Sequence, residues 1–180
     1  MRRFWQLILK FINWKTEGEI PPHLNKYIFV VVPHTSNWDF FLGVTIRGAM
    51  GFHSNYLGKK SLFRFPYGFI FRALGGIPVD RSKKLNMVDQ IVEEVNKREK
   101  FGLAIAPEGT RKKVETWKTG FYYIALKSGI PIIPVQFDWE HRTARFLPPF
   151  YPRGDISVDL AELKSKFEGI KGYTDLNTGK

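Results

Sequence analysis

The chain has 180 residues, of which 43% are hydrophobic, so it can bury the core of one ordinary domain and is not an intrinsically disordered chain. Twenty-eight Lys and Arg residues against 17 Asp and Glu give a net charge of +11, which indicates an anionic partner: nucleic acid, an acidic membrane or a phosphorylated substrate. No cysteine is present, which excludes disulfides, Cys-ligated metals and a thiol nucleophile.

The first residues, MRRFWQLILKFINWKTEG, predict an amphipathic helix. Its polar stripe is formed by Arg3, Gln6, Lys10 and Asn13, and aromatic and aliphatic side chains cover most of the remaining surface. Such a helix either lies in a membrane interface, with its cations toward anionic lipid, or packs on its own domain. The Trp, Arg and Lys pattern favours the interface, so residues 1–16 are predicted as a membrane-interface helix and 17–180 as the main domain.

Short apolar runs alternate with helical patterns along the rest of the chain. The predicted strands are 27–32, 56–58, 77–79, 103–106 and 132–137. The predicted helices are Trp38–Met50, 87–95 with Asn86 as its cap, and 121–128. The Phe-rich segment 63–71 fits either a strand or a buried helix, and the chain is expected to fray from about Lys171. This alternation predicts a single α/β domain with a mixed, largely parallel sheet flanked by helices, preceded by the N-terminal amphipathic helix.

His34 follows the first predicted strand, and Asp39 lies five residues later in the segment PHTSNWDF. A spacing of five does not bring two residues together on one regular helix. If the strand ends at Pro33 and a helix begins near Trp38, however, Asp39 lies in the first helical turn and reaches back to the imidazole. A carboxylate on one ring nitrogen fixes the tautomer and leaves the other nitrogen as a base. The alternative is that Asp39 only stabilises the helix N-terminus and His34 is an ordinary loop residue.

A second group of polar residues lies on a turn in the segment LAIAPEGTRKK, after a later predicted strand. If this strand and the first are parallel neighbours, His34 and Glu108 both follow carboxyl ends, where ligands bind in open α/β sheets. Gly109 permits the turn, and Arg111 offers a fixed fork for phosphate oxygens. The alternative is a solvated basic turn in which Glu108 pairs with Arg111.

Four segments, taken in order, resemble the glycerophospholipid acyltransferase superfamily, nearest to its bacterial 1-acyl-sn-glycerol-3-phosphate acyltransferase group. They are PHTSNWD, GKKSLFRFPYGFIFRALGGIPVDR, APEGTR and KTGFYYIALKSGIPIIPV. His34 and Asp39 match the catalytic pair of that family. The residues that match its substrate-binding motifs are Lys60, Asp80, Arg81, Glu108, Gly109, Arg111 and Pro131. The chain departs from the family's usual residues at Pro33, Pro78 and Ala106.

The resemblance implies transfer of a fatty acyl chain from an acyl thioester, on coenzyme A or acyl carrier protein, to the hydroxyl of a lysophospholipid. The acceptor it favours is 1-acyl-sn-glycerol-3-phosphate, which would give phosphatidic acid. No cofactor or metal is expected, because the four His residues show no ligand spacing. The expected partners are the lipid acceptor, the thioester donor and an anionic membrane surface, with no nucleic acid. The expected location is the cytoplasm, bound peripherally to the inner face of the cell membrane.

Three other functions remain open at this point. One is a sibling acyltransferase that acts on another lipid alcohol or lyso-amino-lipid. The second is a lipid-binding module that kept the fold and lost the chemistry. The third is a basic nucleic-acid-binding domain, which the charge of +11 and the interleaved aromatic residues permit, although no nucleic-acid motif is present.

Overall fold

The computed structural model describes residues 1–79, 87–112 and 114–177. The helices are α1 (Arg2–Phe11), α2 (Trp38–Met50), α3 (Gly68–Ala73), α4 (Met87–Lys97), α5 (Gly120–Ser128), α6 (Ile156–Ser165) and α7 (Tyr173–Asn177), and a 3₁₀ turn covers Lys60–Phe63. The strands are β1 (Lys15–Glu17), β2 (Lys26–Val32), β3 (Asn55–Lys59), β4 (Gly76–Val79), β5 (Phe101–Ile105), β6 (Ile132–Asp138) and β7 (Thr143–Phe146). Within these described ranges, no helix is both long and apolar enough to cross a bilayer.

The seven strands form one sheet in the order β1-β7-β6-β2-β5-β3-β4. Every pairing is parallel except that of β6 with β7. The strand β2 lies between β5 and β6, with Ile28 aligned to Leu103 on one side and to Ile132 on the other. The carboxyl ends of β2, β5, β3 and β6 therefore lie at one edge of the sheet, which we call the catalytic edge. The predicted fold class, a mixed and largely parallel α/β sheet, is confirmed.

Helices cover both faces of the sheet and form two layers. On one face, α1 and α2 pack against a cluster that includes Phe29, Ile133 and Phe137. On the other face, α4, α5 and α6 pack against a cluster that includes Ile28, Leu103 and the fully buried Tyr122. Because both faces of the central strands are buried, β2 is apolar almost throughout, as the run YIFVVV suggested.

The predicted N-terminal helix is present and packs along α2. Trp5 lies against Gly48, where an added Cβ would come within 2.3 Å of the indole, so only a glycine allows this contact. Leu9 is buried beneath the helix, whereas the opposite face of α1 leaves Phe4, Leu7 and Phe11 exposed. One face of α1 therefore packs on the domain, and a second apolar face is left uncovered.

Some segments differ from the sequence-based expectation. The segment 63–71 is neither a strand nor a buried helix: Phe63 is buried, but Phe65 and Phe69 are exposed on a turn and on the short α3. The segment after Lys171 does not fray at its start. Trp139 donates its backbone N–H to the Lys171 carbonyl, and its ring packs edge-on against Tyr173 with centroids 4.8 Å apart. The proposed cap Asn86 lies outside the described residues.

Candidate active site

His34 and Asp39 meet at the catalytic edge, directly after β2. Pro33 ends the strand because it has no N–H to continue the ladder, and α2 begins at Trp38. Asp39 therefore lies in the first turn of α2, where the helix dipole favours a carboxylate. His34 Nδ1 lies 3.0 Å from Asp39 Oδ2. The contact suggested by the sequence thus forms across the turn rather than along a helix.

The carboxylate of Asp39 is buried and accepts four hydrogen bonds. Its Oδ2 accepts the backbone N–H groups of Thr35 and Ser36 at 2.8 Å each, in addition to the imidazole. Its Oδ1 accepts Trp139 Nε1–H at 2.8 Å. A buried charge is costly unless it is paired, and these donors supply that pairing. The carboxylate is therefore fixed in place as an acceptor for the ring.

The imidazole of His34 is oriented for base chemistry. An ionised carboxylate only accepts hydrogen bonds, so Nδ1 carries the proton and Nε2 keeps its lone pair. The side chain of His34 is 30% exposed, whereas that of Asp39 is 2% exposed. The buried carboxylate thus holds one ring nitrogen while part of the imidazole is exposed to solvent, an arrangement that suits a general base.

Glu108 holds the loop that carries His34. Its Oε2 accepts the backbone N–H of His34 at 2.7 Å. This contact follows from the sheet order, because β5 is the parallel neighbour of β2 and both loops leave the same edge. Burial raises the pKa of the Glu108 carboxyl, and the His34 N–H acts in the opposite direction. Glu108 therefore joins the segment APEGTR to the segment PHTSNWD.

Gly109 and Arg111 complete the turn after β5. Gly109 has φ +64°, and an added Cβ there would lie 2.6 Å from Lys118 Cε. Arg111 is exposed and donates from Nη1 to Asn37 Oδ1, the residue just before α2. The pairing of Glu108 with Arg111 considered from the sequence does not occur: each contacts the His34–Asn37 loop instead.

The remaining predicted site residues lie at different distances from this centre. Lys60 is exposed in the 3₁₀ turn after β3, two strands away from β2 at the catalytic edge. Pro131 is buried just before β6, and its carbonyl accepts the N–H of Ile28 at 3.0 Å. That is the opposite edge of the sheet, roughly 13 Å from the end of β2 at about 3.3 Å per strand residue. The structure does not bring Pro131 to His34. Asp80 and Arg81 lie outside the described residues.

Sequence reasoning missed Trp139 and the C-terminal segment 171–177. Trp139 follows directly after β6, the parallel neighbour of β2, so its position after a carboxyl end was a usable signal. The C-terminal segment packs on the His34–Asn37 loop: Thr174 N donates to Thr35 Oγ1 at 3.3 Å, and Gly172 lies where any Cβ would come within 2.6 Å of Thr35. Nothing in the polar sequence of this segment indicates that contact.

Among the described side chains, no three His, Asp or Glu residues come together as a metal site would require. The carboxylates and the imidazole of the site are engaged with one another and with backbone N–H groups instead. The arrangement is suited to accept a proton from a bound hydroxyl beside a cationic surface.

A family model described as Acyltransferase matches residues 13–138. This range covers more than half of the chain and includes β2, β5 and their loops, and the chain therefore belongs to the acyltransferase family. The membership confirms the resemblance drawn from the four sequence motifs and the expectation of an acyl-transferring enzyme.

Three relatives have related names. A 1-acyl-sn-glycerol-3-phosphate acyltransferase of Haemophilus influenzae is 29% identical over 97% of this chain and 72% of the relative. The protein of the same name from Escherichia coli is 32% identical over 67% of this chain and 51% of the relative. A chloroplast enzyme of that name from Brassica napus is 28% identical over 57% of this chain and 31% of the relative. The chain thus spans only part of each of them, about half of the second.

Proposed function

We propose that this chain transfers a fatty acyl group from an acyl thioester to the hydroxyl of 1-acyl-sn-glycerol-3-phosphate, giving phosphatidic acid. The donor is acyl-CoA or acyl carrier protein thioester, and no further cofactor is needed. The observation that carries this proposal is the contact of His34 Nδ1 with the buried Asp39, which leaves Nε2 as a base at an accessible edge. The names of the relatives support the choice of acceptor.

In this mechanism the acyl group moves directly between the two substrates. His34 Nε2 takes the proton of the acceptor hydroxyl as its oxygen attacks the thioester carbonyl. The tetrahedral intermediate collapses, the C–S bond breaks, and the thiolate leaves and takes the proton back from the imidazolium. General base catalysis of this kind contributes about 10²–10⁴-fold. The sequence has no cysteine and no Gly-x-Ser-x-Gly nucleophile elbow, so no covalent acyl-enzyme is invoked.

The acceptor phosphate is held by cations at the same edge. Arg111 is exposed beside the His34–Asn37 loop, and its guanidinium can turn its free N–H groups to a phosphate. Lys60 adds charge from the 3₁₀ turn after β3, and Arg81 is assigned the same role from the sequence motif. Glu108 fixes the position of His34, while Asp80, Gly109 and Pro131 keep the supporting roles that the motifs imply.

The negative charge that develops on the thioester oxygen in the tetrahedral intermediate needs hydrogen-bond donors other than the backbone N–H groups of Thr35 and Ser36. The N–H groups of Thr35 and Ser36 are both bound to Asp39 Oδ2. They orient the catalytic carboxylate and are not free to stabilise charge on the thioester oxygen.

The enzyme works at the inner face of the cell membrane, to which it binds peripherally. Phe4, Leu7 and Phe11 follow one another at helical spacing and are exposed on α1, with Arg3 and Lys10 exposed beside them. Apolar rings with flanking cations are typical of helices that lie in an anionic lipid surface. The anionic partner is therefore lipid, and no nucleic acid is required to explain the charge.

The proposal is tested by incubating the purified chain with radiolabelled 1-acyl-sn-glycerol-3-phosphate and each thioester donor. Formation of phosphatidic acid supports the proposal and identifies the donor. Product from another lysophospholipid or lipid alcohol alone would replace the acceptor and make the chain a sibling enzyme. Salt-dependent oligonucleotide binding without transfer to any lipid would contradict the proposal.

A further inference from the structure

The exposed apolar side chains after β3 form a compact group that the catalytic chemistry does not use. We call this group the aromatic segment. Its members are Leu62, Phe65, Tyr67, Phe69 and Ile70. Phe65 is 98% exposed and Phe69 is 71% exposed. Monomeric soluble proteins rarely leave several large rings uncovered in one place, and such groups mark interaction surfaces.

The aromatic segment is anchored by the side chains next to it. Phe63 is buried, and its ring fits against Gly58 and Gly76, where an added Cβ would come within 2.7 Å of it. Arg72 Nη1 donates to the Phe63 carbonyl at 3.2 Å, and Tyr56 donates its hydroxyl to the Phe71 carbonyl at 3.2 Å. The buried Phe63 and Gly68 and these two hydrogen bonds therefore fix the run on the domain, while Phe65, Tyr67 and Phe69 are left exposed to solvent.

The charged residues between the start of β3 and the end of β4 are all cationic. Residues 55–79 contain Lys59, Lys60, Arg64 and Arg72 and no Asp or Glu. Aromatic rings beside cations suit the interface of an anionic bilayer, where rings sit at headgroup depth and Lys and Arg meet lipid phosphates. A protein partner would need an apolar pocket that is shaped for these rings and surrounded by acidic groups. An anionic bilayer supplies apolar acyl chains and anionic headgroups without a shaped pocket.

The aromatic segment lies in the same layer as α1 and begins at the catalytic edge. Arg47 of α2 donates to the Leu74 carbonyl at 2.7 Å, and Phe40 of α2 packs edge-on against Tyr56, whose hydroxyl binds α3. Thus α3 stands beside α2 on the face of the sheet that α1 also covers. The aromatic segment begins where β3 ends, two strands from His34.

We propose that the aromatic segment is a second bilayer contact, separate from α1, which inserts Phe65 and Phe69 into an anionic phospholipid surface next to the catalytic edge. Its use, which is to let a lipid acceptor reach His34 without leaving the bilayer, rests on the proposed function. The insertion itself does not, because it is measured without turnover.

The absence of native cysteine makes a depth measurement direct. Phe65→Cys, Phe69→Cys and Phe11→Cys are each made in the full chain, and each carries a single nitroxide label. The matched control is Val158→Cys on α6, because Val158 is also apolar and 55% exposed but belongs to the opposite layer. Accessibility to oxygen and to a water-soluble nickel chelate is measured with and without vesicles of phosphatidylglycerol and phosphatidylethanolamine.

The proposal predicts that vesicles shield the labels at positions 65 and 69 from the nickel chelate and expose them to oxygen, while the label at 158 stays in water. The unlabelled double variant Phe65→Ser/Phe69→Ser should bind the vesicles about tenfold or more weakly, with unchanged circular dichroism. Labels at 65 and 69 that remain in water while position 11 inserts would overturn the proposal and leave the acyltransferase function intact. Labels that become immobile at high protein concentration without lipid would identify a second copy as the occupant and also overturn it. Insertion without acyl transfer would support the contact and count only against the proposed function.

Discussion

The indole Nε1 of Trp139 lies 2.8 Å from Asp39 Oδ1, across 100 positions of the sequence. This is the one described donor on that oxygen, since the other three donors converge on Oδ2. The Trp139 ring is itself fixed by edge-on contacts with Trp14 and Tyr173. The orientation of the His34–Asp39 pair therefore depends on β6 and on the C-terminal segment as well as on its own loop.

Replacing Trp139 by Phe tests this dependence. The variant keeps an aromatic ring but removes the N–H, which leaves a buried carboxylate oxygen without a donor at a cost of about 1–3 kcal/mol. We expect a lower melting temperature and a lower kcat with little change in KM. Trp117→Phe is the matched control, because Trp117 packs on Phe121 and Phe167 in the opposite layer and should leave kcat unchanged. Equal kcat values for the two variants would show that the bond does not position the pair.

Replacing Asp39 by Asn tests the orienting carboxylate. An amide presents an N–H₂ group either to the three donors at Oδ2 or to Trp139, so one set of bonds is lost. In either orientation the negative charge that stabilises the imidazolium formed by proton transfer is gone. We expect kcat to fall by about 10²-fold or more. Steady-state kinetics with circular dichroism as a fold check provides the measurement. A kcat within a few-fold of the wild type would remove Asp39 from the mechanism.

Alanine substitutions at Gly109 and Gly129 separate the effect of backbone strain on stability from an effect on catalysis. Both have positive φ, +64° and +62°, so Ala at either site costs about 1–2 kcal/mol of stability. Gly109 lies on the turn that carries Glu108, and its new Cβ would also displace the Lys118 side chain. At Gly129 the new Cβ would have no neighbour within 4 Å. We expect Gly109→Ala to lower both the melting temperature and kcat/KM, and Gly129→Ala to lower the melting temperature alone. Similar kinetics for both variants would show that the turn geometry does not matter to the site.

Glu108 predicts a pH dependence of stability. Burial raises its pKa in the folded state, so the folded state holds that proton at a pH where the unfolded chain has released it. The associated stability is present below the unfolded pKa and is lost as the pH rises through the folded pKa. We therefore expect Glu108→Gln to gain melting temperature relative to the wild type on going from pH 4 to pH 8. The exposed Glu168→Gln serves as the control, and a difference that stays constant or reverses with pH would contradict the assignment.

Arg111 is expected to act on the acceptor rather than on the chemical step. Arg111→Ala should raise the acceptor KM about tenfold, as loss of a charge-assisted phosphate contact does, with kcat nearly unchanged. Lys112→Ala removes an equally exposed charge from the next position and is the control. If both variants raise KM alike, the effect is general electrostatic attraction and Arg111 has no specific contact.

The central strands of the sheet and the helix after β2 could be predicted from local sequence patterns. The strands β2 and β6 are mostly apolar because both of their faces are covered, and the helix Trp38–Met50 begins after turn residues. The short edge strand Lys15–Glu17 is exposed along its length and has no apolar signal, so it was not predicted. The strand Thr143–Phe146 and the helix Ile156–Ser165 also went unpredicted.

The candidate site was predictable where its residues are close in sequence or follow neighbouring strands. His34, Asp39 and Glu108 meet as the strand ends suggested. The position of Trp139 after a strand end was a usable signal, but its bond to Asp39 depends on tertiary packing. The contact of Gly172 with Thr35 joins segments that are far apart in the sequence, so it becomes visible only in the folded structure.

The role of His34 as the base is tested most directly by the rate of acyl transfer to 1-acyl-sn-glycerol-3-phosphate by His34→Ala beside the wild type, on the same vesicles and with a melting curve for each. We predict phosphatidic acid from the wild type and a kcat lower by about 10²–10⁴-fold in the folded variant. A folded variant that turns over within a few-fold of the wild type would contradict it, because the proton would then be taken by a group other than His34.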